Sequence, residues 1–290
     1  MDFVIPVSPK DVFTLGKSLK YINQNFSHPN IYIITKKNCF RYFYSFKKYA
    51  IICIDEDDLF NGLTFDNVKK CIENHQLIGQ RVGWWFQQFL KMAFSYSPYA
   101  KEYYVVWDAD TIPLNPIDFI DNKSGAFLFN LKEENYHPYF VCMDKILGLK
   151  KQIEMSFITE HMVISTEIMR RLTNEIESFS KEEGNWWQKI IKAQPTKGLA
   201  GFSEFETYGT YMMVHYPNLV KFRSLNTDRE GREKYGLCVT RSDLHNASKH
   251  FDTISFERRV DTKPHPICRK IREWGFMQYC RILRKYYHIS

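Results

Sequence analysis

The chain has 290 residues, 44% of them hydrophobic and 25% charged, which excludes a disordered polypeptide and fits one large α/β domain or two small ones. Aromatic residues make up 16%, with 23 Phe and 18 Tyr, enough for a large core and for ring-binding surfaces besides. The net charge of +7 leaves nucleic acid, anionic lipid and phosphorylated substrates all open as partners.

Seven cysteines, at positions 39, 53, 71, 142, 238, 268 and 280, are scattered, odd in number and without a CxxC pair. That spacing speaks against a disulfide frame or a zinc site and for free thiols in a reducing compartment. Met1-Asp2-Phe3-Val4-Ile5-Pro6 does not have the order of a secretory leader. The longest apolar run, Tyr49-Ala50-Ile51-Ile52-Cys53-Ile54, is too short to span a bilayer. A cytoplasmic location is the expectation.

In chain order, Phe3 to Val7 is predicted as a buried strand, and Val12 to Asn25 as a helix carrying Val12, Leu15, Leu19 and Ile22 at helical spacing. Ile31 to Ile34 and Ala50 to Ile54 are predicted as further strands, the latter running into Asp55-Glu56-Asp57-Asp58. Gly83 to Ser95 is predicted as a helix that mixes Trp84, Trp85, Phe86, Phe89 and Leu90 with Gln87, Gln88 and Lys91. Tyr103 to Trp107 is a strand leading directly into Asp108-Ala109-Asp110. This alternation predicts a doubly wound α/β unit. The second half is less regular, with strands near Ala126 to Asn130 and His161 to Ile164 and helices over Thr166 to Phe179 and Trp186 to Ala193. With no internal repeat or low-complexity linker, one compact domain is expected over residues 1–262, followed by a basic amphipathic helix over 263–290.

Two aspartates separated by one residue at a strand's end project toward the same space beyond the sheet. Their hard oxygens suit Mg²⁺ or Mn²⁺, an ion that substrate phosphates commonly complete. In a transferase it would neutralise charge on a departing nucleoside diphosphate. The bland alternative is a pair of acids capping a strand. A sharper rival is the DxDxT of haloacid-dehalogenase-type phosphatases, met by Asp108-Ala109-Asp110-Thr111, in which the first Asp is a nucleophile. That chemistry needs a further acidic pair, and no Asp-Asp or DxxxD follows Asp110.

Four segments together resemble a bacterial family of GT-A glycosyltransferase-like proteins from capsule and lipopolysaccharide gene clusters, over about residues 1 to 260. They are Gly79 to Gln88 with Lys91, Val106 to Thr111, Phe157 to Val163, and Phe202 to Gly209. The resemblance implies an α/β GT-A fold with a mostly parallel central sheet flanked by helices. It implies a metal-dependent enzyme that moves a sugar from a nucleotide-sugar donor, UDP-linked by preference, to a surface-polysaccharide or lipid-linked glycan acceptor. A non-catalytic module that only holds a sugar nucleotide or glycan is the alternative of a different class.

On this reading Asp108 and Asp110 hold Mn²⁺ or Mg²⁺, with His250, ahead of His245, as a third ligand of the kind frequent in the fold. Arg81, Gln88 and Lys91, at helical spacing, aim donors at a diphosphate or sugar, or else form a solvated helix face. Asp55, with Glu56, would meet the donor's base or ribose, unless the acid run is a solvated loop. Val7, Trp107 and Ala109 complete the donor-binding positions. Glu206, ahead of Glu204, is the candidate base for the acceptor hydroxyl, against a helix N-terminus dressed with acids. Glu160 and His161 form a candidate active-site pair, although a lone His opening an apolar strand is more often a hydrogen-bonded core residue.

The C-terminal stretch sets Arg269, Lys270, Arg281, Arg284 and Lys285 opposite Ile271, Trp274, Tyr279, Ile282, Leu283 and Tyr286, with Arg272 intruding on the apolar side. That is the pattern of a helix lying in a lipid headgroup plane, and it predicts peripheral contact with the inner face of the plasma membrane. Charge confined to one terminal helix argues against nucleic acid as a partner.

Overall fold

Apolar runs too short for stable helices dominate the first half of the chain, and they form the central sheet of a computed structural model. The structure describes residues 1–8, 11–77, 79–196, 199–236 and 238–257, with Trp274 and Gln278 beyond them. In chain order the elements are β1 (Asp2–Pro6), α1 (Val12–Asn25), β2 (Asn30–Thr35), a 3-10 segment (Lys37–Tyr49), β3 (Ile51–Asp55), α2 (Phe65–Asn74) and α3 (Val82–Ala93). Then come β4 (Tyr103–Trp107), β5 (Thr111–Pro113), β6 (Phe127–Asn130), α4 (His137–Leu147), β7 (His161–Ser165), α5 (Thr166–Phe179) and α6 (Trp186–Lys192). The last are α7 (Glu204–His215), β8 (Val220–Arg223), β9 (Thr227–Asp228), α8 (Gly231–Tyr235), α9 (Arg241–Ala247) and β10 (Thr253–Ser255).

The chain divides into two compact units interleaved along the sequence. The first takes Met1–Pro9, His28–Asp108 and Asp118–Ser224; the second takes Lys10–Ser27, Ala109–Ile117 and Leu225–Ser290. A sequence reading of one domain over residues 1–262 does not anticipate this interleaving. The basic helix expected over 263–290 lies outside the described residues, apart from Trp274 and Gln278.

The first unit is a mixed α/β fold with a mostly parallel central sheet flanked by helices. Its five strands run in the order β3-β2-β1-β4-β7. Strands β3, β2, β1 and β4 pair in parallel, and β7 closes the sheet antiparallel to β4. Strands β1 and β2 are buried nearly throughout, as strands covered on both faces are. One continuous core joins the sheet to the helices, through Val4, Tyr32, Phe89, Tyr104, Val106, Ile164, Leu172, Trp186 and Tyr208 among others. Side-chain caps start several of the helices. Ser165 accepts from Ile168 N at the head of α5, and Asn185 and Gln188 form a capping box on α6. A small parallel pair, β6 with β8, belongs to the same unit.

The second unit has its own core of Ile112, Leu114, Val239, Leu244, Ala247, Ile254 and Phe256. Its sheet runs β5-β10-β9, with β5 antiparallel to β10. Ser18 on α1 donates to Thr111 O at 2.6 Å, and Asn25 donates to Pro113 O at 2.9 Å, which ties that helix to β5. Cys39, Cys53, Cys71 and Cys142 are free thiols. No helix among the described residues is long and apolar enough to cross a membrane.

Candidate active site

The strand order of the first unit reverses at β1: β2 and β3 lie on one side and β4 on the other. In open parallel sheets a crevice forms at such a reversal, outside the carboxyl ends of the strands, because the connections leave in opposite directions. Here those ends carry Val7 after β1 and Asp108 after β4. Val7 N donates to Ile34 O at 2.9 Å, which extends the β1–β2 ladder to the crevice.

A buried cation organises this end of β4. Lys91, on the last turn of α3, places Nζ 2.8 Å from Asp108 Oδ1 and 2.7 Å from Glu204 Oε1. Burial alone would lower the pKa of that ammonium; the Asp108 and Glu204 carboxylates outweigh it and hold the group above its ordinary value. Its face also lies over the Phe205 ring, 4.5 Å from the centroid. Gln88, one turn earlier, accepts from Glu204 N at 3.2 Å, while its Nε2 is buried without a hydrogen-bond partner. Lys91 thus pairs with Asp108 and Glu204, and Gln88 holds the head of α7, both as buried side chains. Arg81 parts from them: it is the exposed N-cap residue of α3 with extended backbone, outside the helix whose spacing was to align it with Gln88.

Because β7 runs antiparallel to β4, its first residue lies opposite the last of β4, and Trp107 pairs with His161. One step further, Asp108 N donates to Glu160 O at 3.0 Å. Glu160 is buried, with Lys132 Nζ 3.6 Å from Oε1. The Trp107 indole, expected against the donor, is fully buried and stacks on the His161 imidazole at 4.7 Å between centroids. Only its backbone is left for a ligand.

His161, expected as a catalytic group, is a core histidine. Arg223 Nη2 donates to Nε2 at 3.3 Å, so the neutral ring carries its proton on Nδ1, which is buried without a hydrogen-bond partner. Burial first, then the Arg223 and Lys132 charges, hold its pKa well below the ordinary histidine value. Arg223 is itself fixed by Asn130 Oδ1, 2.8 Å from Nε, and by the Phe119 ring. Lys132, Asn130 and Arg223 escaped the sequence reading. The signal for two of them was Ala126 to Asn130, a predicted strand whose exit carries Asn130 and Lys132; Arg223 needed the unpredicted β8.

The two acids of α7 part company. Ser203 caps the helix and accepts from Glu206 N at 3.2 Å. Glu204 faces Lys91 and, through it, Asp108. Glu206 Oε2 instead accepts from Ser156 Oγ at 2.9 Å and Phe157 N at 2.8 Å, and the residue is 1% exposed. Burial raises its pKa, partly offset by those two donors. Glu206, the residue preferred in the sequence as a base, thus clamps the 156–157 loop, while Glu204 shares the Lys91 ammonium with Asp108.

Asp55 ends β3, half-buried, and its Oδ1 accepts from Asp57 N at 3.4 Å. Glu56 beside it is buried, which pushes its carboxyl up to about 7 against the pull of Lys36. In the second unit Ala109 is buried, and Asp110 O accepts from Phe256 N at 2.9 Å. The β5–β10 register then runs Ser255 with Thr111 and Thr253 with Pro113. His250 consequently lies beyond the far end of that ladder from Asp110, exposed to solvent, so the expected third metal ligand is not brought to Asp110. His245 is likewise exposed, on α9. Among the described residues no three His, Cys, Asp or Glu side chains gather as a ready metal cage. Asp108, in the first unit, and Asp110, in the second, carry hard carboxylate oxygens of the kind that a divalent ion takes together with diphosphate oxygens.

No curated protein matches the sequence. Solved structures to which the chain is similar include mouse xyloside xylosyltransferase 1 in its apo form, at 15% identity and a TM-score of 0.47 over 92% of this chain and 100% of that one. Another is the galactosyltransferase LgtC in complex with donor and acceptor sugar analogs, at 10% identity and 0.46 over 97% and 94%. The apo-form glycosyltransferase GlyE of Streptococcus pneumoniae TIGR4 matches at 10% identity and 0.43 over 99% and 63%. The sequence matches the family model of DUF6492, described as a family of unknown function, over residues 10–239, most of the chain's length, and the chain belongs to that family.

Proposed function

We propose that this chain is a metal-dependent glycosyltransferase of the GT-A type that moves a sugar from a UDP-linked donor to a glycan or lipid-linked acceptor of surface polysaccharide. The observation that carries the reading is the position of Asp108. It follows β4 at the reversal of a 3-2-1-4 parallel sheet, half-buried, with the Glu204 carboxylate tied to it through Lys91 and the Glu160 carbonyl bonded to its N–H.

In this reading the diphosphate lies outside the carboxyl ends of β1 and β4, where Val7 is its neighbour, and Asp55 at the end of β3 takes the base or ribose. Asp108 and Asp110 would hold Mn²⁺ or Mg²⁺, which when bound neutralises the charge of the departing nucleoside diphosphate. Lys91 fixes the Asp108 and Glu204 carboxylates relative to one another, so neither must reorganise during transfer. The Gln88 amide offers an unmet donor beside them. Glu204 takes the acceptor proton.

The test is a panel of nucleotide sugars on the full chain, read by thermal stabilisation and by nucleoside diphosphate release with Mn²⁺ and with EDTA. One donor should raise the melting temperature and be hydrolysed only with metal, and Asp108→Asn should lose that turnover while staying folded. A panel with neither stabilisation nor release, or an Asp108→Asn variant as active as the wild type, rules the reading out.

A further inference from the structure

The 3-10 segment Lys37–Tyr49 has no part in the site above, and its composition is unlike the rest of the chain. Together with Lys36 it carries five basic residues, six aromatic residues and no acid. Runs of 3-10 helix seldom exceed one turn, because side chains three apart eclipse. Here that eclipsing sorts the side chains into ridges. Phe40, Phe43, Phe46 and Tyr49 fall on one ridge, and each is buried or half-buried. Asn38, Arg41 and Tyr44 fall on the next, all exposed, with Tyr44 at 63%. Lys37 and Lys48 are exposed as well.

Two of these exposed cations lie against rings. The Arg41 guanidinium is 5.2 Å from the centroid of Tyr42, and Lys48 Nζ is 4.9 Å from that of Tyr49. Lys36 differs from the others, since it sits in the field of Glu56 and Asp57 and over the Phe65 ring. Lys37, Arg41 and Lys48 are therefore outward charges of the segment among its described side chains.

We infer that the face of Lys37, Arg41, Tyr44 and Lys48 is a docking surface for an anionic lipid bilayer. The charge is complementary to anionic headgroups, and cations resting on half-buried rings can keep their heads in the headgroup layer while the rings meet its apolar boundary. A single-stranded nucleic acid would need successive exposed rings to stack on, and of the six aromatic side chains only Tyr44 is exposed. The segment is separate in sequence from the basic stretch near the C-terminus, and the inference does not depend on the transfer reading, since lipid binding is measured without turnover.

The test is sedimentation of the full chain with mixed phosphatidylglycerol–phosphatidylcholine vesicles and with pure phosphatidylcholine vesicles. The chain should pellet with the former only. Reversing three outward charges together (Lys37→Glu, Arg41→Glu, Lys48→Glu) should weaken that binding ~100-fold, as expected from the contribution of each basic residue at an anionic surface. Tyr44→Ser should weaken it further, and circular dichroism should show all these variants folded. Reversal of Arg281, Arg284 and Lys285 to Glu is the control, and it should leave the sensitivity to the Lys37, Arg41 and Lys48 changes in place. Equal pelleting of wild type and triple variant overturns the inference, as does a wild type that ignores anionic vesicles. A single-stranded oligonucleotide that binds the chain with the same sensitivity to the triple change also overturns it, in favour of a nucleic-acid face.

Discussion

Lys91 Nζ lies 2.8 Å from Asp108 Oδ1, so the first acid of the DxD pair is already neutralised from within the protein. The same ammonium reaches Glu204, and it thereby ties the last turn of α3 and the end of β4 to the first turn of α7. An ion cluster this deep is weak evidence of stability, because Lys91 and Glu204 lose their water and Asp108 keeps only part of its own. Its effect is to fix where two carboxylates stand.

Removal of the cation should be far costlier than removal of the whole cluster. Lys91→Met leaves Asp108 and Glu204 close together and without their shared counter-ion, and it should destabilise by about 3–5 kcal/mol. Urea denaturation at neutral pH measures this, and the triple change Lys91→Met, Asp108→Asn, Glu204→Gln should recover most of the loss. A single variant as stable as the wild type would contradict the clasp.

The two acids of α7 should separate cleanly in transfer assays. Glu204→Gln should keep donor binding and lose ~10²–10⁴-fold in transfer, the usual scale for a missing base. Glu206→Gln should leave the transfer rate within a few-fold, because an amide oxygen can still accept from Phe157 N. The reverse ranking would return the base to Glu206.

His161 should make the protein sensitive to acid. Its folded pKa lies well below the ordinary value near 6.5, so as pH falls through that value the unfolded chain takes up a proton that the folded chain refuses. Stability is thus lost on the acid side of about pH 6.5. His161→Phe keeps a ring against Trp107 and has nothing to protonate, so its unfolding free energy should fall less between pH 7.5 and 5.5, values set by the experiment at about one unit either side of the imidazole range. Parallel pH profiles for the two proteins would assign the sensitivity elsewhere.

Gly209 offers a test of packing. It lies within α7, where alanine is the better helix former by about 1 kcal/mol, but a Cβ there would fall on the Phe157 ring. Gly209→Ala should therefore destabilise by roughly 1–3 kcal/mol, against its propensity. Gly209→Ala combined with Phe157→Leu should recover part of that loss; a melting temperature raised by the single change would show that the helix can move away.

Local pattern was enough to place several elements in this sequence. Val12–Asn25, Tyr103–Trp107 and Thr166–Phe179 appear with the bounds their periodicity predicts, since apolar spacing and capping residues act over a few neighbours. The position of Asp108 at a strand's end was legible for the same reason. Partners were not. The antiparallel entry of β7 puts His161 under Trp107 and Glu160 beside Asp108, and the β5–β10 register carries His250 away from Asp110. Lys91 and Gln88 look in sequence like donors on an open helix face; burial makes them a clasp. Helical spacing failed for Arg81 because the helix begins one residue later. These outcomes depend on which segments pair across fifty or a hundred residues of chain, and so on burial and counter-charge that no local window of sequence contains.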